Sequence, residues 1–170
     1  KEKKVQGAEA AQLVSALSNA ARLPTKQYME AFFEMVKENE NENRLNTSAT
    51  LSFGDLVRKA YVDKKEMHSR YPVHMYGPTN QQHEAALDKY IKYLDAKLHK
   101  AIQEGDSPKA QTYITALGFI AHPTILASFE PYLEGQKPAS NYQRFVMIAS
   151  LDKMTKAEPK RAQAVLYRIY

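Results

Sequence analysis

The apolar residues of this chain recur every three or four positions, which is the period of an amphipathic α-helix. The longest such run covers residues 83–104 and ends at Gly105. Its apolar positions step by four, three, four and four residues: Leu87, Ile91, Leu94, Leu98 and Ile102. Alternation with a period of two, which is typical of a half-buried strand, is absent beyond four residues. The pattern therefore predicts an all-α fold with no β-sheet.

Residues 106–135 predict two short helices that meet at a sharp corner. Ser107 is the expected N-cap of the first helix. His122-Pro123 ends that helix and opens the next, because a residue that precedes proline is pushed out of the α region. Gly135 is expected to end the second helix, since glycine is the usual residue just past a helix C-terminus. The segment contains no candidate nucleophile, base or metal cluster, so we interpret its role as structural.

Three further patterns predict how the helices pack. Gly118 lies inside a helix, where glycine costs about 0.5–1 kcal/mol relative to alanine, so we expect a close helix–helix approach there. Ser140 and Gln143 form a capping box at the start of a helix whose residues 145–149 are all apolar, which predicts burial on more than one face. The helix over residues 8–22 is predicted to bury one stripe: Ala10, Leu13, Leu17, Ala20 and Ala21.

Two polar segments, residues 38–50 and 63–82, are predicted to be loops. The first begins with alternating Glu and Asn, a composition that cannot build a core. The second has no helical period and contains two Pro and one Gly. Asn46-Thr47-Ser48 in the first segment is an N-glycosylation sequon. In a secreted protein, we expect Asn46 to carry a glycan.

Basic and aromatic residues are concentrated in residues 58–70, where three nearby tyrosines accompany the charges. This segment is the candidate for contact with an anionic membrane or with nucleic acid; a solvated loop is the alternative interpretation. Its basic residues are Arg58, Lys59, Lys64, Lys65 and Arg70. His68, His74 and His83 are spaced by six and nine residues, which matches no zinc pattern, so no metal site is predicted.

Composition narrows the class of protein. The 170 residues are 44% hydrophobic and 25% charged, as in ordinary globular chains, and the net charge of +5 is spread along the chain. No apolar run approaches the ~18 residues of a membrane span, and the KEKK start is not that of a signal peptide. The absence of Cys excludes disulfides and thiolate zinc sites. Without a phosphate-binding loop, a GxSxG or an HExxH motif, the sequence predicts neither an enzyme nor a cofactor.

Residues 116–135, ALGFIAHPTIL…FEPYLEG, resemble a helical repeat of the large lipid transfer protein family. They are most similar to insect vitellogenins, whose α-helical domain carries ALGN-x-GHP-x-(I/V)-L followed by (F/Y)EPYLEG. The later YQRFVMIASLDKM and VLYRIY also fit, so the resemblance is tight over residues 106–170 and looser upstream. Two positions depart from the family pattern: Phe119 stands where Asn is usual, and Ala121 where Gly is usual.

The resemblance implies a fragment of the α-helical, lipovitellin-type domain of a secreted yolk and nutrient storage protein of hemolymph and yolk. In such a protein the helical arch braces lipid-holding β-sheets. The partners it implies are the remaining domains of the parent chain, lipids and a cell-surface receptor bound through the parent, and a homodimer is left open.

The short helices with short joints predict a right-handed, two-layer α-helical solenoid, with residues 1–170 as part of a single domain. A generic α-solenoid scaffold for protein interaction and a weak binder of nucleic acid or anionic membranes through residues 58–70 remain as alternatives.

Overall fold

The computed structural model describes residues 8–20, 26–41, 43–62, 80–155 and 159–169. These ranges consist of helices and short turns and contain no β-strand, which confirms the all-α prediction. They belong to two compact units, residues 1–77 and residues 78–170. The right-handed two-layer stack and the single domain stay predictions. Within the described ranges, no helix is both long enough and apolar enough to cross a bilayer.

The described part of unit 1 contains three α-helices: α1 (Ala8–Ala20), α2 (Lys26–Glu38) and α3 (Asn43–Val57), the last continued by a π-helical turn (Arg58–Val62). Both α1 and α2 pack against α3. The core between α2 and α3 is aromatic. The Phe53 ring stacks on Phe33 with 5.5 Å between centroids and lies 6.5 Å from Phe32, and all three side chains are buried.

The predicted loop over residues 38–50 is largely wrong, since Glu38 ends α2 and α3 has already begun at residue 43. Leu45, Ala49 and Phe53 repeat every four residues and are buried, so one apolar stripe runs through the supposed loop. Burial of that stripe against the neighbouring helices outweighs the polar composition around it. Of the second predicted loop, residues 80–82 are helical and residues 63–79 lie outside the described residues.

The buried face of α1 also differs from the prediction. Val14 and Ser18 are each 3% exposed, whereas Leu13 is 50% and Leu17 45% exposed. Because α1 carries apolar residues on nearly every side, its sequence offers several stripes of similar quality, and packing against α3 selects among them.

Five helices lie in the described residues of unit 2: α4 (Asn80–Gln103), α5 (Ser107–Ile120), α6 (Pro123–Leu133), α7 (Asn141–Thr155) and α8 (Pro159–Ile169). At its centre, α5 packs against both α4 and α7. Its buried residues cover nearly all sides of the helix: Ala110, Thr112, Tyr113, Ile114, Ala116, Leu117, Gly118 and Ile120. The predicted close approach at Gly118 is confirmed, because Ser150 of α7 lies directly against it.

Local sequence signals set most helix ends in unit 2. The capping box is confirmed: Gln143 N donates to Ser140 Oγ at 3.2 Å, and Ser140 N donates to Gln143 Oε1 at 2.8 Å. Gly105 and Gly135 have φ of 71° and 76°, as expected for residues that end helices. The cap of α5 is Asp106 rather than Ser107, since Asp106 Oδ1 accepts from the backbone N of Lys109 at 3.1 Å.

The prediction that α7 is buried on more than one face is wrong. Met147 and Leu151 are fully buried, but Phe145 is 64% exposed and Ala149 is exposed. The run of apolar residues at 145–149 therefore reflects one buried face and one exposed apolar face. In α8, Ala162 and Val165 form the buried face.

Candidate interaction sites

Asn46, the predicted glycosylation site, lies in the first turns of α3 and is only 2% exposed. Its side-chain Nδ2 atom, which a glycan would modify, donates a long hydrogen bond to Val36 O at 3.5 Å. The structural premise of the prediction, a polar loop, is therefore wrong. The prediction of a glycan therefore rests on the sequon alone, and a glycan at this atom conflicts with the packing of α3 against α2.

The predicted anionic-surface site is described only at Arg58 and Lys59, because Lys64, Lys65 and Arg70 lie outside the described residues. Both described side chains pair with Asp55, at 2.7 Å from Arg58 Nη2 and 2.6 Å from Lys59 Nζ. Burial alone would raise the pKa of Asp55, but hydrogen bonds and charges from Lys59 and Arg58 outweigh it and lower that pKa below its usual value. The carboxylate therefore stays ionised and offsets part of the positive charge of this segment.

An exposed apolar strip on α7 was not predicted as a site. Tyr142, Phe145 and Ala149 are spaced by three and four residues and so share one helix face. The two aromatic side chains are 57% and 64% exposed, and Tyr142 Oη accepts a hydrogen bond from Gln111 Nε2 of α5 at 3.0 Å. This α7 strip is a surface that a partner could cover, and no charge interrupts it between Tyr142 and Ala149 on that face.

The N-terminal end of α6 is capped by a histidine. His122 has extended backbone angles, with φ of −87° and ψ of 143°, and its Nδ1 atom accepts from Thr124 N at 3.3 Å. The Thr124 hydroxyl lies 2.9 Å from the same nitrogen. Just before it, Ala121 adopts the left-handed region with φ of 52°. The sequence predicts the corner at these residues but not the capping role of the imidazole.

The C-terminal half of α6 is tied to two other helices. Tyr132 is 2% exposed, and its hydroxyl lies 2.6 Å from His99 Nδ1 of α4, whose Nε2 lies 3.1 Å from Gln103 Nε2. Burial, and then the negative charge of Asp95, raise the pKa of Tyr132 to about 12. The contact joins residues 33 positions apart, and no sequence signal could have paired them.

Arg168 of α8 also anchors α6. Its Nε lies 3.1 Å from Glu134 Oε1, just past the end of α6, and its Nη2 lies 3.4 Å from Glu130 Oε1. Among the described residues, no group of acidic and histidine side chains could hold a metal ion.

Comparisons with known proteins agree on one family. The model of the vitellogenin TPR domain matches residues 1–170. The chain is 39% identical to vitellogenin of Anthonomus grandis over 99% of its length, and 41% identical to vitellogenin-1 of Solenopsis invicta over 95%. It is also 35% identical to vitellogenin-A1 of Aedes aegypti over 100% of its length. The chain spans about a tenth of the length of these curated relatives, covering 10%, 10% and 8% of them. No solved structure matches it.

Proposed function

This chain belongs to the vitellogenin family, and we propose that it forms part of a helical arch that braces the lipid cavity of a secreted yolk storage protein. The parent would carry lipid as a nutrient reserve in hemolymph and yolk and would have no enzymatic activity. The remaining domains of the parent chain would be the direct partners of these helices. Contacts with a cell-surface receptor, or with a second copy of the protein, would be made through the parent.

The burial of apolar side chains between the helices of unit 2 supports a bracing role. Helix α5 buries eight residues on nearly all of its sides, and α6 buries five more: Ile125, Leu126, Phe129, Tyr132 and Leu133. At roughly 1.5–3 kcal/mol for each large apolar side chain that is fully buried, these contacts stabilise the helix stack. Apolar surface that is used between helices cannot also line a lipid cavity, so the lipid would be held elsewhere in the parent.

The exposed α7 strip fits the same role. Phe145 and Tyr142 offer exposed apolar surface on one side of unit 2. In the parent, a β-sheet could cover such a strip. This would let the arch hold the sheet while the helices themselves bind no lipid.

Lipid extraction tests the proposal. Residues 1–170 are expressed alone, purified without detergent, extracted with organic solvent and analysed by mass spectrometry. We expect a helical protein with much less than one lipid per chain. One or more tightly held lipids per chain would mean that the helices form a cavity, and the bracing role would then be abandoned.

A hydrophobic dye locates the exposed apolar surface in the same preparation. We expect the dye fluorescence to fall in Phe145→Ser, because Phe145 is the more exposed of the two aromatic side chains in the α7 strip. Tyr167→Ser is the matched control, since Tyr167 is an aromatic residue of α8 that is 83% exposed. An equal fall in both variants would show that the dye reports exposed aromatic residues in general rather than a docking strip.

The alternative of an anionic-surface binder has less support. Arg58 and Lys59 are the described part of that segment, and Asp55 pairs with both. We infer that any such binding is weak and electrostatic.

A further inference from the structure

We propose that the corner between α5 and α6 is an acid-sensitive hinge, held closed by the neutral imidazole of His122. This inference does not depend on the proposed bracing role. It concerns how the first turn of α6 is attached to the end of α5.

The capped conformation of the corner, in which Thr124 N donates to His122 Nδ1, needs that ring nitrogen to be unprotonated. A backbone N–H can only donate, so the 3.3 Å contact from Thr124 N requires a lone pair on His122 Nδ1. Protonation would turn Nδ1 into a donor: the Thr124 hydroxyl, 2.9 Å away, can then accept from it, but the Thr124 backbone N–H loses its acceptor. It would also place a positive charge at the N-terminus of α6, the end at which the helix dipole disfavours cations. Both effects act against the first turn of α6 and leave the rest of the helix untouched.

The backbone of the corner is suited to a local movement. Ala121 is the one non-glycine residue with positive φ among the described residues, so this joint holds a conformation that L-residues rarely adopt. Pro123 has no N–H, so the capping contact to Thr124 and the bond from Ile125 N to His122 O at 2.9 Å hold the first turn. Loss of the cap removes one of these two attachments.

The far end of α6 would stay in place. Tyr132 is held by His99 of α4, and Glu134 is held by Arg168 of α8. These contacts do not involve His122, so the movement would be confined to the turn that follows the corner. That confinement distinguishes a hinge from general unfolding of unit 2.

The protonation of His122 falls in a range of pH in which the folded protein can be studied. Burial lowers the pKa of His122 from its ordinary value of 6.5, and no charged group on the described parts of the neighbouring helices contributes to that shift. The imidazole is therefore neutral and capping at neutral pH. The ratio of protonated to neutral His122 rises about tenfold for each unit by which the pH falls below its pKa.

The test uses the ¹⁵N-labelled chain, with NMR spectra recorded from about pH 7.5 to about pH 5, a range that brackets histidine titration. We expect the Thr124 amide to titrate below pH 6.5 and to move toward its random-coil shift. The Leu133 amide at the far end of α6, followed in His99→Gln so that no second imidazole lies against the neighbouring Tyr132, should stay unchanged. A Thr124 amide that does not titrate, or a Leu133 amide that changes in parallel, would overturn the hinge.

Two variants assign the effect to one imidazole. His122→Asn keeps a capping side chain, since Asn is a strong N-cap residue, but removes the titration; the Thr124 amide should become insensitive to pH. His99→Gln removes the imidazole that contacts Tyr132 and should leave the Thr124 titration intact. If Thr124 still titrates in His122→Asn, or ceases to titrate in His99→Gln, the proposal is wrong.

Discussion

Gly118 of α5 lies so close to Ser150 of α7 that a Cβ atom on Gly118 would come within 2.8 Å of Ser150 Cβ and nearer still to Ser150 Oγ. Real Cβ atoms do not approach other atoms so closely. The Ser150 hydroxyl is held in turn by the Val146 carbonyl of its own helix, at 2.9 Å. The α5–α7 crossing therefore depends on the absence of a side chain at residue 118.

Gly118→Ala should destabilise unit 2 although alanine is the better helix former. The gain of up to about 1 kcal/mol in helix propensity is smaller than the roughly 1–3 kcal/mol that overpacking costs. Urea unfolding followed by circular dichroism measures the difference. In the double variant with Ser150→Gly, which removes both clashing atoms, the loss should be smaller than the sum of the two single changes. If the losses of the two single variants simply add in the double variant, the α5–α7 crossing accommodates a Cβ atom at residue 118 without a clash with Ser150.

Ala121→Gly should stabilise unit 2 by roughly 0.5–1 kcal/mol. Ala121 has φ of 52° and ψ of 33°, a left-handed conformation that costs an L-residue about 1–2 kcal/mol and glycine almost nothing. Part of that gain is offset by the greater freedom of glycine in the unfolded chain. Thermal and urea unfolding give the sign.

The control for Ala121→Gly is the same change at Ala127, an exposed residue inside α6. There it should destabilise by about 1 kcal/mol. A loss of stability in both variants would mean that Ala121 is not strained.

The packing of α3 leads us to expect an unmodified Asn46 in protein from its natural source. A glycan on Nδ2 would have to replace the contact with Val36 O and open a side chain that is 2% exposed. Mass spectrometry of the peptide that contains Asn46, with and without glycosidase, decides between this and the prediction from the sequon. A glycosylated peptide as the main form would mean that α2 and α3 pack differently in the native protein.

Asp55→Asn should strengthen binding to anionic vesicles several-fold if residues 58–70 contact such surfaces. The change removes the carboxylate that pairs with Arg58 and Lys59. Binding to vesicles with an acidic headgroup should be weak and should disappear at about 300 mM salt, where screening is strong.

Asp88→Asn is the matched control for this change. It frees Lys92 of α4 and alters the net charge by the same amount. An equal gain in both variants would indicate a response to total charge alone. Binding that survives high salt would contradict the electrostatic interpretation.

The free energy of unfolding of unit 2 should fall at high pH, because Tyr132 loses its phenolic proton there. Because burial raises its folded-state pKa from 10.0 to about 12, the folded chain holds the phenolic proton more tightly than the unfolded chain. The contribution is fully present below pH 10.0 and is lost as the pH rises toward about 12. Urea unfolding at a series of alkaline pH values measures it.

Tyr132→Phe should lose about 1 kcal/mol at neutral pH, since the hydrogen bond to His99 disappears, and should reduce the alkaline loss. Tyr167→Phe, at a residue that is 83% exposed, should change neither quantity. An unchanged alkaline slope in Tyr132→Phe would assign the effect to another group.

The sequence alone determined the all-α class and most helix ends in unit 2. The Ser140–Gln143 box, the corner at His122-Pro123 and the stops at Gly105 and Gly135 rest on interactions within a few residues, so local sequence encodes them. The close approach at Gly118 was predictable for a related reason, because a glycine inside a helix needs a compensating contact.

Only the tertiary structure decided which side of a helix is buried when its sequence offers several choices. Helix α1 buries Val14 rather than Leu13, and α7 exposes Phe145, because the neighbouring helices select the face. The sequence predicts Asn46 in a loop, but Leu45 and Ala49 are buried against neighbouring helices, so this segment is helical and Asn46 is buried with it. The contact between Tyr132 and His99 joins residues 33 positions apart on two helices, and it forms only because the fold brings them together.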